Sequence, residues 1–197
     1  DAIKNLADLQ KYLDDATKRS DNPFYGWGVY GDLKNSKMNA VYLGDASLGL
    51  GRDYYQKDSP KNTETIEEYK KYVAQVLTEL GYKDAASVAA QIVDFEKKMA
   101  KTLLTNEQIR DSNLQYNPKT LPELKALVKN IDLPKYLANV GVKTDKVIIG
   151  ELGYYKNLDT FLTEKNIPLI KDYIKFNLVS GSAGYLSQKL DDMKFDF

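Results

Sequence analysis

Of the side chains that exchange protons near neutral pH, this chain offers carboxylates but no histidine, and among the strong nucleophiles it lacks cysteine. Two carboxylates held a fixed distance apart suffice for glycoside hydrolysis, which makes Glu64, Glu67 and Glu68, or Asp191 and Asp192, the groups to weigh. All five sit at the ends or on the polar faces of helical patterns. There the positive end of the helix dipole favours acidic residues without any catalytic role. A solvated helix face is the preferred reading, and a carboxylate hydrolase with a bell-shaped pH profile stays as the minor one.

The missing imidazole removes Ser-His-Asp and Cys-His nucleophilic systems and every zinc site with histidine ligands, including the His-Glu-x-x-His helix. Phosphate loops need Gly-x-x-x-x-Gly-Lys-Ser/Thr, which is absent, and Gly49-Leu50-Gly51 is only part of a dinucleotide loop, so it reads as loop geometry. Arg52-Asp53 beside it is read as an ion pair clamping the loop, with a ligand site as the alternative. Fifteen tyrosines, doubled at Tyr54-Tyr55 and Tyr154-Tyr155, could line a carbohydrate or peptide surface. Because Tyr69, Tyr72, Tyr173 and Tyr185 fall near apolar helix faces, core tyrosine is the preferred account.

The elements that must carry these residues follow from periodicity. Ile3, Leu6, Leu9, Leu13 and Ala16 recur at helical steps until Asn22-Pro23 stops the pattern. From about residue 25 to 44 the period changes. Trp27, Val29 and Ala40-Val41-Tyr42-Leu43 flank the polar Lys34-Asn35-Ser36-Lys37, which predicts a β-hairpin with its turn there. Residues 44–62 are rich in Gly, Asp, Ser and Pro and read as an irregular loop pinned by buried aromatics.

Asn62 or Thr63 then caps a helix carrying Ile66, Tyr69, Val73, Val76, Leu77 and Leu80, closed by Gly81 in a left-handed position. A second long helix from about Asp84 carries Ala85, Val88, Ile92, Phe95, Met99 and Leu103, with Asp94, Glu96, Lys97 and Lys98 turned mostly outward, and should pack antiparallel to the first. Asn117-Pro118 breaks the chain, and Thr120 with Glu123 forms a capping box before Leu121, Leu124, Leu127 and Val128. A short helix starts at Asp132-Leu133-Pro134, and Lys146 to Ile149 suits a buried extended segment. Leu158, Phe161 and Leu162 mark another helix. Leu169, Ile170, Tyr173, Ile174, Leu178, Leu186 and Leu190 line a last one, disturbed at Ser180-Gly181-Ser182. The expected fold is mainly α, a multi-helix domain over 1–197 with long antiparallel helices and one small hairpin.

Composition narrows the partners. Twenty-eight basic and 28 acidic residues cancel, so no net field attracts nucleic acid. Apolar runs fall far short of the roughly 20 residues a membrane span needs. Asp1 opens inside an amphipathic pattern without an initiator Met or a leader, so the front of a longer chain is expected to precede it.

Three stretches, in order and separation, resemble the N-terminal region of the neprilysin and endothelin-converting-enzyme family of zinc metallopeptidases, especially its bacterial endopeptidases. The first runs from Asn22-Pro23-Phe24 through Asp32-Leu33-Lys34-Asn35-Ser36 and Tyr42-Leu43-Gly44 to Leu48-Gly49-Leu50-Gly51-Arg52-Asp53-Tyr54-Tyr55. The second is Arg110-Asp111 with Tyr116-Asn117-Pro118-Lys119-Thr120-Leu121-Pro122-Glu123-Leu124, and the third Asp172-Tyr173-Ile174-Lys175-Phe176 leading to Tyr185-Leu186-Ser187. The family usually has Gly-Leu-Pro-x-Arg-Asp-Tyr-Tyr; here Gly51 meets Arg52 with one residue fewer and no proline.

The resemblance implies a two-lobed, largely helical peptidase whose zinc is held by a C-terminal lobe, this chain matching the other lobe. Arg52, Asp53, Tyr54, Tyr55, Tyr116, Asn117 and Pro118 are then structural motif residues. No residue is expected to be catalytic, to bind a cofactor or to ligate metal. The zinc lobe of the same parent chain and the parent's peptide substrates are the implied partners, in an extracytoplasmic location. A free-standing helical binding or scaffold module is the alternative. An excised lobe should expose an apolar patch beyond the few hundred Å² tolerated by monomers.

Overall fold

A computed structural model describes residues 2–196 except the side chains of Leu186, Phe195 and Asp196. The expectation placed on Asp1 and that for the Leu186 side chain therefore lie outside the described residues. Contacts divide the chain into two compact units: Asp1–Ser47 with Thr102–Ile167, and Leu48–Lys101 with Pro168–Phe197. The architecture is mainly α with a small sheet.

In the first unit, α1 (Leu6–Lys18) starts where the Asn5 side chain accepts from the Asp8 amide at 2.8 Å, and it buries Leu9, Leu13 and Ala16 completely. The stop at Asn22 has a local cause. Its side-chain oxygen accepts from the Phe24 and Tyr25 amides, and its amide donates to the Leu13 carbonyl, which turns the chain out of the helix. The hairpin follows as β1 (Trp27–Asp32) and β2 (Asn35–Leu43), antiparallel, with Val29 opposite Val41 and Asp32 opposite Asn35. The turn is the pair Leu33-Lys34 and not the tetrapeptide from Lys34 to Lys37, because Asp32 accepts from the Lys34 amide and closes it early.

The hairpin does not stand alone. Asn117–Thr120, read from sequence as a mere break, is β3, and Lys146–Ile149 is β4, giving a four-stranded sheet in the order β1-β2-β4-β3. Strand β4 runs parallel to β2 and antiparallel to β3, so Val147, Ile148 and Ile149 are fully buried at the centre, as a continuous β-branched run should be. Pro118 is tolerated because β3 is an edge strand, where a missing amide costs no ladder bond. Around this sheet lie α5 (Leu121–Leu127), α6 (Leu133–Asn139) and α7 (Leu152–Phe161). Tyr154 and Tyr155 of α7 are fully buried and donate to the Phe24 and Gly44 carbonyls, which ties α7 to the incoming and outgoing chain at the open end of the hairpin.

The second unit opens with a short helix, α2 (Arg52–Gln56), inside the stretch expected to be irregular. Next comes α3 (Pro60–Glu79), which begins earlier than the sequence suggested. Ser59 is its cap, accepting from the Asn62 amide at 3.1 Å with Pro60 in the first turn. Gly81 ends it at φ +88, a conformation costly for any residue with a Cβ. Helix α4 (Ala85–Ala100) packs back on α3. The last helical pattern is three pieces, α8 (Ile167–Gly181), α9 (Ala183–Leu186) and α10 (Gln188–Asp196), interrupted where Ser180-Gly181-Ser182 was expected to disturb it.

The capping box at α5 is present, Thr120 accepting from the Glu123 amide and Glu123 from the Thr120 amide. Thr120→Ala removes one of these bonds and should cost about 1 kcal/mol. Urea denaturation of the two proteins checks it; an unchanged midpoint would show that α5 holds by tertiary packing alone.

Candidate functional site

Glu96 is the most unusual group in the second unit. Its spacing from Ile92 and Met99 places it on the apolar stripe of α4, and it is fully buried, not turned outward as expected from its charged neighbours. A carboxylate there must find donors for its lone pairs or shed its charge. Four groups converge on it. Tyr55 of α2 donates to Oε2 at 2.5 Å, Tyr69 of α3 and Tyr173 of α8 donate to Oε1 at 3.0 and 3.1 Å, and the Gly49 amide reaches both oxygens at 3.3 Å. One side chain thus joins three helices and a loop to its own.

The electrostatics follow from burial. Desolvation raises the carboxyl of Glu96 above its ordinary range and outweighs the donors from Tyr55, Tyr69, Gly49 and Tyr173, each of which lowers it. Desolvation, then the adjacent carboxylate, push the Tyr55 and Tyr69 hydroxyls well up, so both stay protonated and keep donating. The aromatic setting is continuous. Tyr69 and Tyr72 both contact Phe176 edge-on, and Phe95 meets Tyr173 edge-on at 5.6 Å.

Gly49 belongs to this cluster for a steric reason. A Cβ there would lie 2.0 Å from the Tyr69 hydroxyl, so the Gly49-Leu50-Gly51 glycine serves close approach to a buried phenol. Of the motif beside it, Tyr55 is buried on Glu96, Tyr54 is half-buried, and the Asp53 carboxylate meets Lys57 at 3.6 Å, one turn along α2. Arg52 is the first residue of that helix and half-buried.

The second motif lies in the first unit. The Tyr116 hydroxyl donates to both oxygens of Asp32 at 2.9 and 3.1 Å, and the Lys34 ammonium sits 4.9 Å from the Tyr116 ring centre. The Lys34 amide, first, and the Tyr116 hydroxyl hold the Asp32 carboxyl below its usual range. Asn117 donates to the Leu114 and Ile149 carbonyls, and Pro118 pairs with Ile148 across the β3–β4 ladder. This motif therefore locks the hairpin tip and the sheet edge.

The acidic candidates do not form a reactive pair. Glu64, Glu67 and Glu68 are exposed, and because α3 starts at Pro60 they lie beyond its first turn, where Glu67 pairs with Lys70 at 2.7 Å. Asp191 and Asp192 are exposed on α10, Asp192 accepting from Gln188. Sequence reasoning missed three buried acids, Glu96, Asp14 and Asp32. For Glu96 the signal was its place on the apolar stripe. Asp14 keeps one oxygen on Asn139 at 2.6 Å and one without a partner, and burial raises its carboxyl.

Zinc finds no matching donor set here. The sequence has neither histidine nor cysteine, and among the described residues no three acidic side chains are grouped to hold a metal ion. What the arrangement supplies is rigid packing around buried polar nodes in a largely helical chain.

That description coincides with one family. The N-terminal model of peptidase family M13 matches residues 1–197, and the chain belongs to this family. It is 28% identical over 180 residues to endothelin-converting enzyme 1 of Cavia porcellus, covering 87% of this chain and 24% of that protein. The neutral endopeptidase of Lactobacillus helveticus is 25% identical over 200 residues, covering 99% of this chain and 31% of that protein. In fold the chain is similar to the zinc metalloprotease ZMP1 of Mycobacterium tuberculosis in its open state, with a TM-score of 0.86 at 20% identity over 99% of this chain and 31% of that one. The chain spans about a quarter to a third of the length of these relatives.

Two predictions test the Glu96 node. Since the folded state raises this carboxyl above its ordinary 4.5, the stabilisation from its proton is complete below that value and is lost as pH rises through the folded one. Stability measured relative to Glu96→Gln should therefore fall on raising the pH from the ordinary value and then level off; urea titrations across the range check it, and a flat difference would refute it. Gly49→Ala should drive Tyr69 off Oε1 and cost about 1–3 kcal/mol, read as a lowered melting temperature that a second Tyr69→Phe substitution partly restores.

Proposed function

We propose that residues 1–197 serve as the non-catalytic lobe of a longer zinc metalloendopeptidase, walling a chamber through which only peptides reach a zinc site on another part of the same polypeptide. The observation that carries this reading is the match of the family's N-terminal model along the whole of a chain that has no imidazole or thiolate to offer a metal. The relatives named as endopeptidases and converting enzymes are three to four times longer, leaving ample chain for the zinc ligands.

A chamber wall selects by steric exclusion and by keeping bulk water from the reacting bond, and this calls for stiffness more than for reactive side chains. Glu96, held by three tyrosines, and Asp32, held by Tyr116, supply that stiffness. On this reading Arg52, Asp53, Tyr54, Tyr55, Tyr116, Asn117 and Pro118 are structural motif residues and none is catalytic. The catalytic zinc lobe and peptide substrates are the partners, and the parent works outside the cytoplasm, as the family's usual export implies. Among the described residues no helix is long and apolar enough to cross a membrane.

The test compares the isolated chain with the full-length product of its gene. The full-length protein should carry a downstream His-Glu-x-x-His and cleave a fluorogenic peptide in a chelator-sensitive manner, while residues 1–197 alone bind no stoichiometric zinc by calorimetry and cleave nothing at any pH. Chelator-sensitive turnover by the 197-residue chain would overturn the proposal, as would a gene that ends without a zinc motif.

A further inference from the structure

Strand β1 is an edge strand, bonded on one side to β2 and on the other to no strand among the described residues. Such an edge is a template for pairing, and proteins that leave one open blunt it with lysine, proline, a bulge along its length or an inward-pointing charge. Over Trp27-Gly28-Val29-Tyr30-Gly31 there is none of these, and the one irregularity comes at the far end, between Gly31 and Asp32. The opposite edge, β3, carries both Pro118 and Lys119. The two edges of one sheet are thus treated differently.

The side chains of the hairpin are just as open. Trp27, Val29, Tyr30, Leu33 and Met38 remain between 41% and 66% exposed, all within twelve residues. The two faces differ. On one, Tyr30 folds back over Gly28, where a Cβ would meet its ring at 2.5 Å, and contacts Tyr42 edge-on, so its aromatics pack on one another while Tyr30 stays exposed. On the other face Trp27 and Val29 stand opposite Leu43 and Val41, which are buried while their partners are not. Nor is the strand slack. Tyr116 on Asp32, and the Tyr42 hydroxyl bridging the Gly31 carbonyl and the Leu33 amide, hold the tip in place.

We infer that an extended, uncharged, apolar segment from the remaining part of the same polypeptide adds to the open edge of β1 and covers Trp27 and Val29. The occupant is identified by permanence. An edge that opened and closed with each transient peptide would stand bare between events and would need the protections that β1 lacks; one covered in cis from folding onward does not. The matched relatives are long enough to supply the segment, since this chain spans only 24% to 31% of their length. The inference rests on the proposed reading of the chain as one part of a longer peptidase.

Hydrogen exchange of the full-length protein, read by mass spectrometry over residues 27–32, decides it. The β1 amides that do not bond to β2 should exchange roughly a hundredfold or more slower than in a free chain, without added peptide and at any protein concentration, since the β2 ladder by itself protects only the others. Val29→Lys should lower that protection in the full-length protein while leaving the unfolding midpoint of the isolated chain unmoved. Free-chain exchange of those outward-facing amides in a full-length protein with chelator-sensitive turnover would overturn this inference and leave the proposed function standing. Protection that appears only with a peptide substrate, or only as concentration rises, would also overturn it, in favour of a transient ligand or a second copy. Absence of turnover would tell instead against the underlying reading.

Discussion

A carboxylate taken out of water has to be compensated where it stands, and the way Glu96 is compensated determines the second unit. Its donors come from the loop at Gly49, from α2 through Tyr55, from α3 through Tyr69 and from α8 through Tyr173. These lie 27 to 77 residues from Glu96 in sequence, so the complete node needs every one of these segments in place. Removing one donor leaves a buried acceptor short of a partner, a larger loss than an apolar contact of the same area. An apolar residue at 96 could fill the space, but it would not dictate which tyrosine points where. Specificity of arrangement is what the acid contributes.

The same economy of means runs through the first unit, where tyrosine again supplies the donor. Tyr116 reaches Asp32, and Tyr154 and Tyr155 reach main-chain carbonyls at the open end of the hairpin. Tyr154 and Tyr155 fill the core with a large apolar ring while their hydroxyls meet main-chain acceptors, and the half-buried Tyr116 fixes Asp32 at the hairpin tip. Of the fifteen tyrosines, Tyr55, Tyr69, Tyr116, Tyr154, Tyr155 and Tyr173 commit their hydroxyls to acceptors of the chain itself. The family is one of peptidases, and this stretch of it has neither histidine nor cysteine.

Legibility followed the range of the interactions. Local signals held. The capping box at Thr120, the left-handed end at Gly81, the break near Ser180 and the buried run Val147 to Ile149 all stand where periodicity and residue type put them. The motif resemblance held too, because it sums many weak local matches over the whole chain. Non-local pairing was lost. Nothing in Asn117-Pro118-Lys119-Thr120 alternates strongly enough to announce β3, which exists because β4 offers it an edge. Glu96 was assigned to solvent by its charge, although its place three residues before Met99 and four after Ile92 had put it on the apolar stripe. Charge argued outward and position argued inward. Position won because three phenols and an amide were waiting in segments that sequence inspection cannot bring together.

The motif residues carry steric and hydrogen-bonding demands that the geometry makes plain. Gly49, Tyr55 and Tyr116 carry demands that few other residues meet: no Cβ beside a buried phenol, and a hydroxyl of fixed reach on an immobile acid. On sequence alone such positions are easily taken for a site. The difference lies in where the polar atoms point. A catalytic group keeps an atom free for substrate, whereas the carboxylate oxygens of Glu96 and Asp32 are occupied by donors from the chain itself. Rigidity here takes up the acceptor oxygens of both acids, which hold the hairpin tip and the helices of the second unit in place.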